Sequence, residues 1–308
     1  MSYSEKLYAE SLSEFGTPLE LPESGGWLLK RHIPGSSLFD AMGAYPLFAC
    51  KDWTRLHHDL EMLKDELVSV SLVTDPFGNH TEDILVKCFP DKMIPFKEHF
   101  IIDLSRGTDC ISSHHKRNAR KALATIEVEV NTHPLEWLEE WVSLYEVLIS
   151  RHEIHGISAF SKISFSKQLQ FSDTTAIRGM INGKTVGMLL WCRNQDVAYY
   201  HLGAYNEQGY QMKASFALFS VAIEHYRKQG VQYLSLGAGA GLDTNADDGL
   251  TRFKRGWATD TRMAYLCGRV FNQESYDKLV SLSNAEHTAY FPAYRLGEFG
   301  NTTNRQEK

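Results

Sequence analysis

Two apolar runs, Ala176 to Ile181 and Val186 to Cys192, flank a segment that begins with Asn182-Gly183. Asn-Gly between such runs predicts a tight antiparallel hairpin, because both central residues of the turn need a positive φ. This feature argues against an all-helical fold and against an all-parallel sheet, whose strands are joined by long crossovers. A third run, Val197 to Leu202, follows Asn194-Gln195-Asp196 and extends the hairpin into a meander. Ala214 to Lys228 then reads as a long apolar helix, closed by Arg227, Lys228 and Gly230. Val231 to Leu236 is a predicted strand, Gly249 to Trp257 a basic helix, and Arg262 to Val270 a further strand. A meander followed by a helical crossover implies an α/β fold with a mixed sheet.

Upstream, strands are expected at Trp27 to Ile33, Val68 to Val73, Phe96 to Leu104 and Ile126 to Val130. Helices are expected at Trp53 to Leu67 and at His114 to Leu123. A new unit is expected near Asn131: Pro134 suits a first helical turn, and Trp137, Trp141, Leu144 and Leu148 line one helix face. A shorter helix is expected from Lys162 to Phe171.

The 308-residue length accommodates two domains with cores that need no disulfide staples. The formal net charge of -6 argues against coating nucleic acid by bulk charge, and no DNA partner is expected. Cys50, Cys88, Cys110, Cys192 and Cys267 match neither a disulfide framework nor a zinc site, so free thiols in a reducing cytoplasm are expected. No apolar run is long enough to span a membrane. The acidic start, MSYSEKLYAESLSEFG, does not read as a secretion signal, and residues 1–24 read as a solvated lead-in.

Three segments carry a resemblance: Ser113 to Ala122, Tyr200-His201-Leu202-Gly203-Ala204-Tyr205, and Gly249-Leu250-Thr251-Arg252-Phe253-Lys254-Arg255-Gly256-Trp257. Their order and spacing resemble the FemAB-like, or BioF2-like, acetyltransferases of the GNAT superfamily, over roughly residues 25–295. The resemblance implies two GNAT-like units in tandem: a degenerate one over 25–131 and one over 132–300 that carries the donor site, with 301–308 as a tail. It implies acyl transfer from a CoA thioester to an amine or hydroxyl acceptor, a small molecule or a peptide. An aminoacyl-tRNA donor and a non-catalytic GNAT-fold binding module are the alternatives. No tightly bound cofactor is implied; acyl-CoA or aminoacyl-tRNA is a co-substrate.

By the same resemblance Lys254 lies near the donor carbonyl, where a cation stabilises the oxyanion of acyl transfer. His201 has the ionisation range to take a proton from an attacking ammonium, and Tyr200 can donate to the leaving group. Strand alternation puts Tyr199 and His201 on one face, Tyr200 and Leu202 on the other. GNAT enzymes hold a pyrophosphate where this chain has Asn206 to Ser215, and Gln208 to Ser215 departs from the usual Q/R-x-x-G-x-G/A; Gly209, Tyr210, Lys213, Ala214 and Ser215 are the candidates for donor binding. Lys116, Arg117, Arg120 and Lys121 are like charges at helical spacing, and His115, Arg117 and Arg120 are candidates for substrate binding.

Two rival motifs read differently. Leu236-Gly237-Ala238-Gly239-Ala240-Gly241 looks like the first loop of a Rossmann methyltransferase, but only 67 residues follow Gly241, too few for the remaining crossover units. His152-Glu153-Ile154-His155 is one residue short of the H-E-x-x-H metal motif and reads as a helix end, so no metal is expected.

Overall fold

The computed structural model describes residues 3–107, 111–239 and 248–298. Elements in chain order are α1 (Lys6–Ser11), β1 (Thr17–Leu21), β2 (Gly26–His32), β3 (Phe39–Gly43), α2 (Leu56–Met62), β4 (Ser69–Val73), α3 (Glu82–Cys88) and β5 (Lys92–Asp103). There follow α4 (Ser113–Leu123), β6 (Glu127–Asn131), α5 (Leu138–His152), α6 (Lys162–Gln168), β7 (Thr174–Ile181), β8 (Lys184–Asn194) and β9 (Val197–Tyr205). The last are α7 (Glu207–Gln211), α8 (Ala214–Lys228), β10 (Tyr233–Ser235), α9 (Gly249–Trp257), β11 (Asp260–Val270) and α10 (Gln273–Leu282).

The chain forms two compact units, each mixed α/β and each built from separate stretches. One holds Tyr3–Phe96, His155–Ala159 and the chain from Tyr265 onward. Its strands pair β1 with β2 and β2 with β3 antiparallel, β3 with β4 parallel, and β4 with the end of β11 antiparallel. Leu28, Phe48, Trp53, Leu56, Leu60, Val70 and Leu85 are buried in its core. The stretch expected as a loose lead-in is part of this unit. Tyr8 and Leu12 are fully buried, Tyr8 donates to the Tyr45 carbonyl at 2.5 Å, and Thr17–Leu21 pairs with β2. The acidic composition there masked the apolar residues that fold inward.

The other unit holds Lys97–Ile154 and Phe160–Ala264, and it contains the sequence-based candidate site. The strand order is β5-β10-β9-β8-β7-β6. β9 pairs with β10 in parallel, and the remaining neighbours in this order are antiparallel. The predicted hairpin is present: Asn182 and Gly183 have φ of 52° and 72°, the values its turn requires. The junction expected near residue 131 falls inside this unit, because β6 continues the sheet by pairing with β7. Buried residues of α4, α8 and α9, among them Ala119, Ala122, Ala217, Leu218, Phe219 and Trp257, pack on Ile177, Leu189, Trp191 and Ala198. A separate aromatic group, Trp141, Tyr145, Phe160 and Phe165, joins α5 and α6 and reaches His201 on β9.

β10 is not the first strand of an all-parallel sheet, so the methyltransferase reading fails on topology. His152 is the last residue of α5 and Glu153 its left-handed C-cap, a helix end. Cys50, Cys88, Cys192 and Cys267 are free thiols, while Cys110, residues 240–241 of the glycine-rich loop and the tail 301–308 lie outside the described residues. Among the described residues no helix is long and apolar enough to cross a membrane, and no group of three or more His, Cys, Asp or Glu could hold a metal ion.

Candidate active site

The site begins where two parallel strands part. The pairing of β9 with β10 ends at Tyr199 opposite Ser235. Beyond it the chain after β10 keeps only its pairing with β5: Leu236 N–H donates to the Phe100 carbonyl at 2.8 Å, and Phe100 N–H to the Gly237 carbonyl at 3.1 Å. β9 meanwhile continues to Tyr205, paired with β8. Backbone polar groups on the facing edges of such a split are available to a ligand.

Helix α9 delivers Lys254 to this split. Asp248 caps the helix, accepting from the Leu250 and Thr251 N–H groups at 2.8 and 2.9 Å. Lys254 is 5% exposed, and its Nζ donates to the Ala238 carbonyl at 2.5 Å. The Nζ also lies 5.7 Å from the centre of the Tyr200 ring. Gly237 has φ of 73°, and a Cβ there would stand 3.3 Å from the ammonium. Burial lowers the Lys254 pKa to about 7, against a smaller opposing pull from Asp248. A lysine held at that cost in stability, at a strand split, is a candidate for chemistry rather than packing.

Tyr200 shares this face. Its ring packs on Trp191 and Phe219, and burial raises its pKa, so the phenol stays protonated. His201 does not join them. Its Nε2 pairs with the Gln168 side-chain oxygen at 3.1 Å and its ring packs on Phe160. Burial lowers its pKa to about 4. A bulge explains part of the arrangement: Trp191 pairs with Tyr200 and Leu190 with Leu202, leaving His201 as an extra residue that breaks simple alternation. The expected trio is therefore a pair, Lys254 and Tyr200, with His201 turned toward α6.

His115 was expected to bind substrate and instead locks two helices together. It is buried, its Nε2–H donates to the Phe253 carbonyl at 2.9 Å, and Ser112 Oγ lies 2.7 Å from Nδ1. A carbonyl only accepts, so Nε2 carries the proton and Nδ1 accepts from the Ser112 hydroxyl. A Cβ on Gly256 would collide with this ring. The contact holds α4 against the residue next to Lys254. Arg117 and Arg120, by contrast, are exposed, and so is Lys121.

The donor-binding candidates surround a cavity of about 160 Å³ lined by Tyr205, Gly209, Tyr210, Lys213, Ser215 and Phe216. Ala214 is fully buried at the first position of α8. Lys213, the N-cap of α8, has φ of 56°, and its own side chain makes no capping hydrogen bond. A left-handed lysine costs about 1 kcal/mol or more and leaves backbone N–H groups at the start of a 15-residue helix for an anion. Lys213 Nζ donates to Asn118 Oδ1 at 3.2 Å, and the Arg151 guanidinium lies 4.1 Å from the Tyr210 ring centre. Gly209 has a structural reason: its N–H donates to Asn206 Oδ1, and a Cβ would strike the Val186 carbonyl.

One residue with no motif to announce it also belongs here. His99 on β5 lies just past the Phe100–Gly237 bond and is 8% exposed. Its Nδ1 is buried with no hydrogen-bond partner among the described residues.

Residues 112–255 match the family model of the acetyltransferase (GNAT) domain. No curated protein matches the chain. Among solved structures, FemX is similar with a TM-score of 0.65 at 13% identity, covering 89% of this chain and 93% of that one. The C-terminal domain of a putative lysylphosphatidylglycerol synthetase from Agrobacterium fabrum gives 0.61 at 14%, covering 87% and 88%. L-PGS from Bacillus licheniformis gives 0.56 at 14%, covering 91% and 96%. Residues 112–255 are thus similar to a GNAT-type acetyltransferase domain, and the fold is similar to that of FemX and of the lysylphosphatidylglycerol synthetase domain.

Proposed function

We propose that this protein is an N-acyltransferase that moves an acyl group from a CoA thioester to an amine, on a small molecule or a peptide. The observation that carries the reading is the buried Lys254 ammonium at the split between β9 and β10. The N–H groups opening α8, the Lys213 turn and the adjoining cavity offer a place for the donor's pyrophosphate. The acyl carbonyl then enters the split. Attack by the amine converts it to an oxyanion, which the Lys254 charge stabilises. The Tyr200 hydroxyl is the proton donor for the departing sulfur, a role its protonated state permits.

A second reading, aminoacyl transfer from tRNA, is favoured by the exposed Arg117, Arg120 and Lys121 on one helix. These could meet a phosphate backbone. The C-terminal domain of a putative lysylphosphatidylglycerol synthetase shares the fold over most of both chains. Thiol release from acetyl-CoA and longer acyl-CoAs, with a panel of primary amines, tests the first reading. Amine-dependent release supports it. No release, with transfer from charged tRNA that weakens steeply as salt rises, would replace it with the second. Inactivity with both donors would leave a binding module.

A further inference from the structure

We propose that His99 is the base of this site: it takes the proton from the attacking amine, the role for which His201 is wrongly placed. The inference rests on the acyltransferase reading above and adds a residue to it. Three observations carry it. First, the ladder between β5 and β10 pairs Ile101 with Ser235, and its bonds continue from Phe100 to Leu236 and Gly237. His99, the next residue along β5, therefore stands by Gly237, one residue from the carbonyl that holds the Lys254 ammonium. Second, its Nδ1 is buried with no partner among the described residues, and an orphaned polar atom of this kind is costly unless a ligand completes it. Third, Gly237, which His99 stands opposite across the ladder, faces Lys254: a Cβ on it would be 3.3 Å from the Nζ.

The charged groups acting on His99 are Lys254 on α9 and Lys97 on its own strand. Burial is the main cause that lowers its pKa, to about 3, and the two lysines add to it. The imidazole is therefore neutral at physiological pH and holds a lone pair ready to accept a proton. An oxyanion formed beside Lys254 offsets that lysine's charge and so raises the basicity of His99 at the moment a base is needed.

The step balances as follows. The amine lone pair forms the C–N bond, and the carbonyl π pair moves onto oxygen beside Lys254. His99 takes one N–H proton from the new ammonium. The oxyanion re-forms the carbonyl as the C–S bond breaks, and sulfur takes the Tyr200 proton. The imidazolium returns a proton to the phenolate, directly or through water, leaving an amide, a thiol and an unchanged enzyme.

The test has two arms on the full chain. In the first, the His99 ring is titrated by nitrogen-detected NMR in the wild type and in Lys254→Met. Loss of a neighbouring cation raises the His99 pKa; an unchanged value overturns the shared site. In the second, His99→Gln is assayed with acetyl-CoA and the best primary amine of the panel. The expected result is a fall in kcat of ~100-fold or more, with the donor KM nearly unchanged. Imidazole added to His99→Ala should restore part of the rate. Active wild type with His99→Gln within about threefold of it overturns the base role alone. Wild type inert toward acetyl-CoA and charged tRNA overturns the transferase reading, and the base role with it. If His99→Gln does not fold, the NMR arm decides.

Discussion

Replacing Lys254 with methionine should make the protein more stable and nearly inactive at once. The side chain is 5% exposed, and burial lowers its pKa from 10.5 to about 7. That difference corresponds to about 5 kcal/mol disfavouring the charged form. Methionine has a similar length and carries no charge to desolvate. The substitution also removes the Nζ bond to the Ala238 carbonyl, which returns about 1–3 kcal/mol of cost. A net gain of about 2–4 kcal/mol follows at mildly acidic pH. The sign with pH is set by the lowered folded-state value. Between about 7 and 10.5 the unfolded chain binds more protons than the folded one, so wild-type stability rises with pH across that window. Below it the full penalty applies. The variant lacks this slope, and its advantage should shrink as pH climbs and be lost near the top of the window. Urea unfolding at about pH 6, 8 and 10 measures the difference, provided the m-values agree. Turnover should fall ~100-fold or more with donor binding nearly intact, and Lys254→Arg should recover part of it. A variant less stable than the wild type at pH about 6, with no pH slope in the wild type, would refute the reasoning and make Lys254 a packing residue.

Other substitutions test the scaffold around it. His115→Ala should cost about 2–4 kcal/mol in denaturant unfolding, because it removes the Phe253 and Ser112 hydrogen bonds and empties an aromatic nest of Phe216, Phe253 and Trp257. Burial lowers the His115 pKa from 6.5, so its contribution is present above that value and lost as pH falls through the folded-state pKa. Gly209→Ala should cost about 1–3 kcal/mol or more and depress donor binding by calorimetry, since the new Cβ meets the Val186 carbonyl rather than a movable side chain. Asp40→Ala in the other unit should cost about 3–5 kcal/mol in thermal or urea unfolding, because fully buried Asp40 pairs with Arg31 and Arg295 and accepts from Tyr294.

The features legible in the sequence are those decided within a few residues. Asn182-Gly183 dictates its own turn, Ala214–Lys228 is mostly apolar up to Ile223, turns basic at Arg227-Lys228 and ends on Gln229-Gly230, and Gly249–Trp257 starts beside the Asp248 cap. Lys254 was singled out because its segment resembles a family motif, whereas its burial against the Ala238 carbonyl shows only once the chain is folded. Roles that depend on what lies across the sheet were not legible. His115 stands three residues after Ser112, a spacing that suits a helix start, but nothing nearby shows that its ring meets the Phe253 carbonyl. The bulge that shifts the β8–β9 register between Leu190 and Trp191 is a property of two strands, and alternation along β9 alone cannot supply it. His99 is the extreme case. On β5 it is one residue among the run from Phe96 to Leu104, and it enters the site because residues 99–103 and 233–237 are brought side by side from distant parts of the chain. A base recruited by long-range pairing leaves no spacing to read, whereas an unpaired buried nitrogen beside a buried cation is visible as soon as the strands are placed.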